Sequence, residues 1–255
     1  MPQLSQTASH PDYVKISEWQ FRNITTQAYE GPFVARWAMA NPKLKRFAIV
    51  GIQNDWGQSA VKNFADAVKA SGGDVADTEF FNPGTRDFRA ILTKLARGRP
   101  DAVYMAMFYE DGAAFLQQRA QMGVNVPVFA TSSLYSPKLI ELAGPAANQL
   151  LLSSTFMKED SSPNVQAYVK EYTARYKSDP DQFSAQAFDA TNIMLDAIVR
   201  AGGASATRQK VRDALAATKD FPGVTGNTSF DPVTREPSKT LARMQIRDGK
   251  FVPVQ

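Results

Sequence analysis

Short apolar runs alternate with longer amphipathic stretches through the first three fifths of the chain. The run Arg46-Phe47-Ala48-Ile49-Val50-Gly51 is short and β-prone and reads as a buried strand. Gln53-Asn54-Asp55 breaks it, and from Gly57 to Ser71 the residues Val61, Phe64, Ala65 and Val68 recur at spacings of three and four. That spacing predicts one buried helix face, stopped by Gly72-Gly73. The unit then repeats. Val75–Phe81 reads as a strand, and Phe88, Ile91, Leu92 and Leu95 mark a helix that Gly98 and Pro100 end. Ala102–Met107 is a strand and Glu110–Met122 a helix. Pro127–Ala130 is a strand, Ser136-Pro137 opens a helix with serine at the cap, and Leu150–Ser153 is a fifth strand. Strands alternating with helices in this way predict parallel βαβ units, and so an α/β fold: an open parallel sheet with helices on both faces.

After Thr155 the pattern changes. Asn164–Tyr176, Phe183–Ala201 and Thr207–Ala217 read as three helices with no strands between them, the second with Phe188, Met194, Leu195 and Ile198 inward. The tail returns to β, with strands at Thr228–Phe230, Ala242–Ile246 and Phe251-Val252, and a hairpin turn at Asp248-Gly249. The first 30 residues are less regular: Leu4–Pro11 is polar, Phe21–Ile24 is a candidate strand, and Glu30–Ala40 is a helix leading into Lys45.

Composition narrows the chemistry. The chain has 255 residues, 44% hydrophobic and 21% charged, which is globular rather than disordered. No apolar run approaches the ~20 residues of a membrane helix, and no apolar stretch with a basic flank opens the chain. There is no cysteine, which excludes disulfides, thiolate metal sites and cysteine nucleophiles. The single histidine, His10, leaves a Ser-His-Asp triad little room and excludes histidine-rich metal sites. A net charge of +4 falls short of the basic stripe of a nucleic-acid binder. Neither G-x-G-x-x-G nor G-x-x-x-x-G-K-[ST] nor G-x-S-x-G occurs. The acidic neighbours Asp179 and Asp181, and Glu110 and Asp111, read as solvated loop carboxylates; Arg86, Arg89, Lys94, Arg97 and Arg99 read as an exposed helix face. No enzyme activity, metal or cofactor is expected.

Beyond the strand ends the residues are more suggestive. Trp56 follows the first strand, Phe108-Tyr109 the third and Thr131-Ser132-Ser133 the fourth. In a parallel sheet these gather at the carboxyl edge, where ligands bind. Aromatics beside hydroxyls suit a small ligand with an apolar body and a polar head; they equally suit loop aromatics that cap the core. The pattern alone leaves both open.

Several stretches together resemble one family. They are Lys45–Gly57 with Asp55-Trp56-Gly57, Asp87-Phe88 before a helix, Pro100-Asp101-Ala102-Val103-Tyr104 entering a strand, Gln117–Gly123, Phe183–Ala190, Gly223-Val224-Thr225-Gly226 with Phe230-Asp231, and Asp248-Gly249-Lys250-Phe251. The chain resembles the periplasmic solute-binding proteins of the branched-chain amino acid ABC transporter type, over nearly its whole length. The resemblance implies the type I periplasmic-binding fold, with two Rossmann-like lobes joined by a hinge and a ligand held in the cleft. Two such lobes of roughly 150 residues each would need about 300, so the chain is expected to lack most of the N-terminal lobe, signal peptide included. The implied division is 1–30, a remnant of the N-terminal lobe and hinge; 31–155, the C-terminal α/β lobe; 156–218, helices of the returning N-terminal lobe; and 219–255, hinge and final strands of the C-terminal lobe.

The same resemblance implies the site. Thr7 and Ser9 fall in the first-lobe loop that holds a ligand carboxylate, while Trp56 and Phe108 fall at aromatic lining positions; Tyr109, beside Phe108 at the same strand end, is a further candidate from its place in the pattern. Ser132 falls where amino-acid binders carry an acid for the ligand ammonium. A serine supplies no charge, and a buried unpaired ammonium is costly; a ligand without an α-ammonium is therefore expected, with Asp189 as a less suitable substitute acid. The implied function is the substrate-binding component of an ABC importer, taking a small carboxylic acid, amide or amino acid, periplasmic, with the transporter permease as partner and no nucleic acid. The alternative is a cytoplasmic ligand-sensing domain of the same fold. Apolar helix faces left by the absent lobe lead to the further expectation of a homodimer.

Overall fold

The computed structural model describes residues 1–254. In chain order the elements are β1 (Gln3–Ser5), β2 (Gln20–Arg22), α1 (Gln27–Met39), β3 (Arg46–Ile52), α2 (Asp55–Ala70), β4 (Asp74–Phe81), α3 (Arg89–Arg97), β5 (Ala102–Ala106), α4 (Tyr109–Gln121), β6 (Val128–Ala130), α5 (Pro137–Ala143), β7 (Leu151–Ser154), α6 (Pro163–Tyr176), α7 (Gln182–Arg200), α8 (Arg208–Ala216), β8 (Phe221–Gly223), β9 (Gly226–Thr228), β10 (Ala242–Arg247) and β11 (Lys250–Pro253). The described chain divides into two units, one of residues 1–26 with 155–240, the other of residues 27–154 with 241–254.

The second unit is the α/β sheet that the pattern predicts. Its strand order is β11-β10-β7-β6-β5-β3-β4. The five strands β4, β3, β5, β6 and β7 run parallel, and β10 and β11 add antiparallel at one edge. β3 and β5, central and covered on both faces, are almost wholly apolar and buried, as parallel central strands must be. One face packs Val34, Ala35 and Ala38 of α1 and Ala60, Val61, Phe64 and Val68 of α2 against Phe47, Ile49 and Tyr104. Phe64 stacks on Tyr104 with ring centres 3.8 Å apart.

The first unit is built around α7. β1 and β2 pair in parallel and β8 and β9 form an antiparallel hairpin. Phe21, Ile193, Ala197, Val211, Leu215 and Phe230 make its core, with Phe21 and Phe230 edge to face at 5.4 Å. A capping box starts α7: the Ser184 N–H donates to Asp181 Oδ1 at 2.8 Å and the Asp181 N–H to Ser184 Oγ at 3.0 Å.

The structure differs from the sequence pattern at three places. Phe188 and Leu195 are not inward; they are 42% and 54% exposed. The buried stripe of α7 is Ala185, Gln186, Asp189, Ala190, Ile193 and Ala197, rotated from the expected one because two polar residues on it find partners. Gln186 Nε2 donates to Thr155 Oγ1 at 2.6 Å, and Asn23 Nδ2 donates to Gln186 Oε1 at 3.0 Å. The strand expected at Thr228–Phe230 lies at Gly226–Thr228, because the hairpin with Phe221–Gly223 sets its register. Residues 219–240 belong with the first unit rather than with the final strands, since that hairpin and Phe230 pack there.

Candidate functional site

The carboxyl edge of the sheet carries the candidate site of the second unit. β3, β5 and β6 are neighbours, so the segments that follow them emerge side by side. Asn54 caps α2, its Oδ1 accepting the Gly57 N–H at 2.8 Å. Gly57 presses against the end of β3: a Cβ there would lie 2.1 Å from the Ile52 carbonyl oxygen, so only glycine lets the helix start so close to the strand. Trp56, held between them, stacks on Phe108 with ring centres 4.9 Å apart and planes 18° from parallel. Phe108 is 38% exposed at the start of α4, and Tyr109 beside it is half-buried.

The turn after β6 is buried through Thr131, Ser132 and Ser133. Ser133 Oγ donates to the Met107 carbonyl at 2.7 Å, which ties the turn to the residue before Phe108. The Ser132 N–H donates to Glu30 Oε1 at 2.6 Å. Glu30, in the first turn of α1, is a buried carboxylate that also accepts from Ser153 Oγ at 2.6 Å and Gln27 Nε2 at 2.7 Å. Reading Ser132 alone therefore misses a negative group at this place, brought by a helix 102 residues earlier in the chain. Glu30 carries no sequence signal of its own; a glutamate in a first helical turn is ordinarily solvent-facing and favourable to the helix dipole. Asp111, also in a first turn, is buried, and burial raises its pKa, with Arg86 opposing and Glu110 adding to the rise.

In the first unit, Thr7 is half-buried and Ser9 buried in the loop after β1. Arg22 organises that loop. Its Nη1 donates to the carbonyls of Ala8 at 2.9 Å and His10 at 2.7 Å, and its Nη2 to that of Pro11 at 3.3 Å. Asp189 serves the structure: it accepts the Val224 and Thr225 N–H groups, both at 2.8 Å, and the Thr225 hydroxyl at 2.5 Å. The structure thus brings Trp56 and Phe108 into contact and ties Ser133, the residue after Ser132, to Met107, the residue before Phe108, while Thr7 and Ser9 belong to the other unit. Among the described residues no group of three or more histidine, aspartate or glutamate side chains could hold a metal ion. No helix among them is long and apolar enough to cross a membrane.

The sheet is open and mostly parallel, with an aromatic pair and a buried polar turn at its carboxyl edge, the edge at which α/β sheets in general hold ligands. The chain belongs to the periplasmic binding protein family, whose sequence pattern matches residues 2–250. It is similar to the leucine-, isoleucine-, valine-, threonine- and alanine-binding protein of Pseudomonas aeruginosa, 25% identical over 211 residues, covering 83% of this chain and 56% of that protein. Among solved structures it is similar to a candidate branched-chain amino acid ABC transporter protein from Rhodospirillum rubrum, 45% identical with a TM-score of 0.81, covering 100% of this chain and 73% of that one. It is also similar to a leucine-binding protein from Thermotoga maritima, 26% identical with a TM-score of 0.92, covering 100% and 72%. The type I periplasmic-binding fold of the branched-chain amino acid type is therefore that of this chain, which spans little more than half the length of the curated relative named above.

Proposed function

We propose that this chain is the substrate-binding component of an ABC importer and that it binds a small carboxylic acid, amide or amino acid in the periplasm without transforming it. The observation that carries this reading is the stacked Trp56–Phe108 pair beside the buried Ser132 turn at the sheet's carboxyl edge. An apolar wall next to a few fixed polar groups is what a small ligand with an apolar body requires. Family membership and the branched-chain amino acid specificity in the relatives' names support it. The residues assigned to the ligand are Trp56, Phe108, Tyr109 and Ser132 of the second unit and Thr7 and Ser9 of the first. The partner that receives the ligand is the transporter permease.

Self-association belongs to the same reading. Tyr176, Phe188, Leu195 and Val199 are large apolar side chains exposed on α6 and α7, and a second copy covering them gives a homodimer. Calorimetric titration with leucine, valine, aliphatic and aromatic carboxylic acids and their amides tests the ligand class, with micromolar or tighter binding of at least one expected. No heat with any of them would overturn the reading. Light scattering at tens of micromolar tests the dimer, and a monomer would refute it.

A further inference from the structure

Glu30 is 2% exposed, and its carboxylate meets three donors: the Ser132 N–H, the Ser153 hydroxyl and the Gln27 amide. Three donors and no competing acceptor suit an ionised carboxylate. None of the ion pairs in this unit involves it, among the described residues. The charge is therefore buried without a neutralising cation, where water screens it poorly. Its reach shows at Tyr104, whose phenol is pushed well above its ordinary pKa by burial first and by Glu30 second.

This charge is wired to the candidate site. Glu30 holds the Ser132 amide, Ser133 holds the Met107 carbonyl, and the next residue, Phe108, stacks on Trp56. Three of the turn's donors are spent within the protein. The Thr131 N–H is spent on the Met105 carbonyl, the Ser132 N–H on Glu30 and the Ser133 hydroxyl on Met107. An anion placed at this turn would meet the like charge of Glu30 behind it, with three of the turn's donors already spent. A ligand ammonium, hydroxyl or amide N–H would meet an attractive field there.

We propose that Glu30 determines specificity at the Ser132 end of the site, admitting a neutral donor or cationic group of the ligand there and excluding a carboxylate. The proposal rests on the solute-binding reading above.

Three ligands that share one side chain and differ at a single substituent test it by calorimetry: leucine, 2-hydroxy-4-methylpentanoate and isobutylmalonate. They place an ammonium, a hydroxyl or a carboxylate at the same carbon. Wild type is expected to bind the better of the first two at least ~10-fold more tightly than isobutylmalonate, the size of a charge term at an effective dielectric near 20. Glu30→Gln keeps an acceptor for Ser132 and Ser153 but removes the charge, and is expected to shrink that ratio by ~10-fold or more. Ser153→Ala, which keeps the charge and removes one of its donors, is expected to leave the ratio unchanged. An unchanged ratio in Glu30→Gln, or the same collapse in Ser153→Ala, would overturn the proposal while the solute-binding reading stands. No binding of any of the three by wild type would overturn the proposal; no binding across the wider panel of acids and amides would overturn the solute-binding reading as well. Should Glu30→Gln fail to fold, Glu30→Asp retains the charge and must retain the discrimination, and its loss there refutes the proposal.

Discussion

Arg22 is wholly buried and meets Glu236 through two contacts, Nη2 donating to Oε1 at 3.1 Å and Nε lying 3.0 Å from Oε2. Burial lowers the arginine's pKa and Glu236 opposes the shift, so the pair sustains a charge the interior would otherwise reject. The same guanidinium gathers the carbonyls of Ala8, His10 and Pro11. One side chain thus joins β2, the loop that carries Thr7 and Ser9, and the turn before β10.

Arg22→Ala leaves three carbonyls and a half-buried carboxylate without their partner. It is expected to cost about 3–5 kcal/mol of unfolding free energy, as for other broken buried pairs. Chemical denaturation measures the loss, and limited proteolysis should show new cleavage between residues 7 and 12. A loss below ~1 kcal/mol, the scale of an exposed pair, would contradict this account.

Lys239 gives the stability a pH dependence. Its ammonium donates to Thr225 Oγ1 at 2.8 Å and lies 3.9 Å from Asp189 Oδ2. Burial lowers its pKa from 10.5 to about 8, with Asp189 pulling the other way. Between those values the unfolded chain binds a proton that the folded chain has released, so this residue's contribution rises with pH. Below about pH 8 both states are protonated and the whole cost, roughly 3 kcal/mol, is present. Denaturant midpoints measured from pH 7.5 to 10.5 should carry this rising component in wild type and lack it in Lys239→Met. Parallel curves for the two proteins would refute it.

Asp189 is expected to matter for stability and not for ligand choice. Asp189→Asn turns an amide NH2 toward groups that are all donors, at a cost of roughly 2 kcal/mol or more. Gly223→Ala attacks the same spot from the other side, since its Cβ would lie 2.4 Å from Asp189 Oδ2; overpacking of this kind costs about 1–3 kcal/mol. Titrations well below the melting temperature should show unchanged relative affinities in both variants. A change in ligand preference would return Asp189 to the site.

Trp56→Ala should do the reverse. The ring is held by its stack on Phe108 near the surface, so the melting temperature should move little. Affinity for any ligand with an apolar body should fall at least ~10-fold, equivalent to about 1.4 kcal/mol. Equal affinity for wild type and variant would show that the pair merely caps the core.

Much of this was legible in the chain because it depends on local periodicity. The strands Arg46–Ile52 and Ala102–Ala106 and the helices between them follow from apolar spacing, which any backbone of that period must obey. Parallel strands then put Trp56, Phe108 and Ser132 on one edge whatever the details. The rest depended on polar groups that are buried only because distant segments satisfy them. Gln186 and Asp189 turn α7 so that Phe188 and Leu195 face outward, and neither residue looks buried until Thr155, Asn23, Val224 and Thr225 supply its bonds. Glu30 looks like a solvated first-turn acid until Ser132 and Ser153 arrive from more than a hundred residues away. The sequence by itself determined the α/β class, the family and the aromatic edge, since these follow from patterns along the chain. Only the tertiary structure decided where the buried charge lies, because a polar side chain enters the interior when its partners are folded around it.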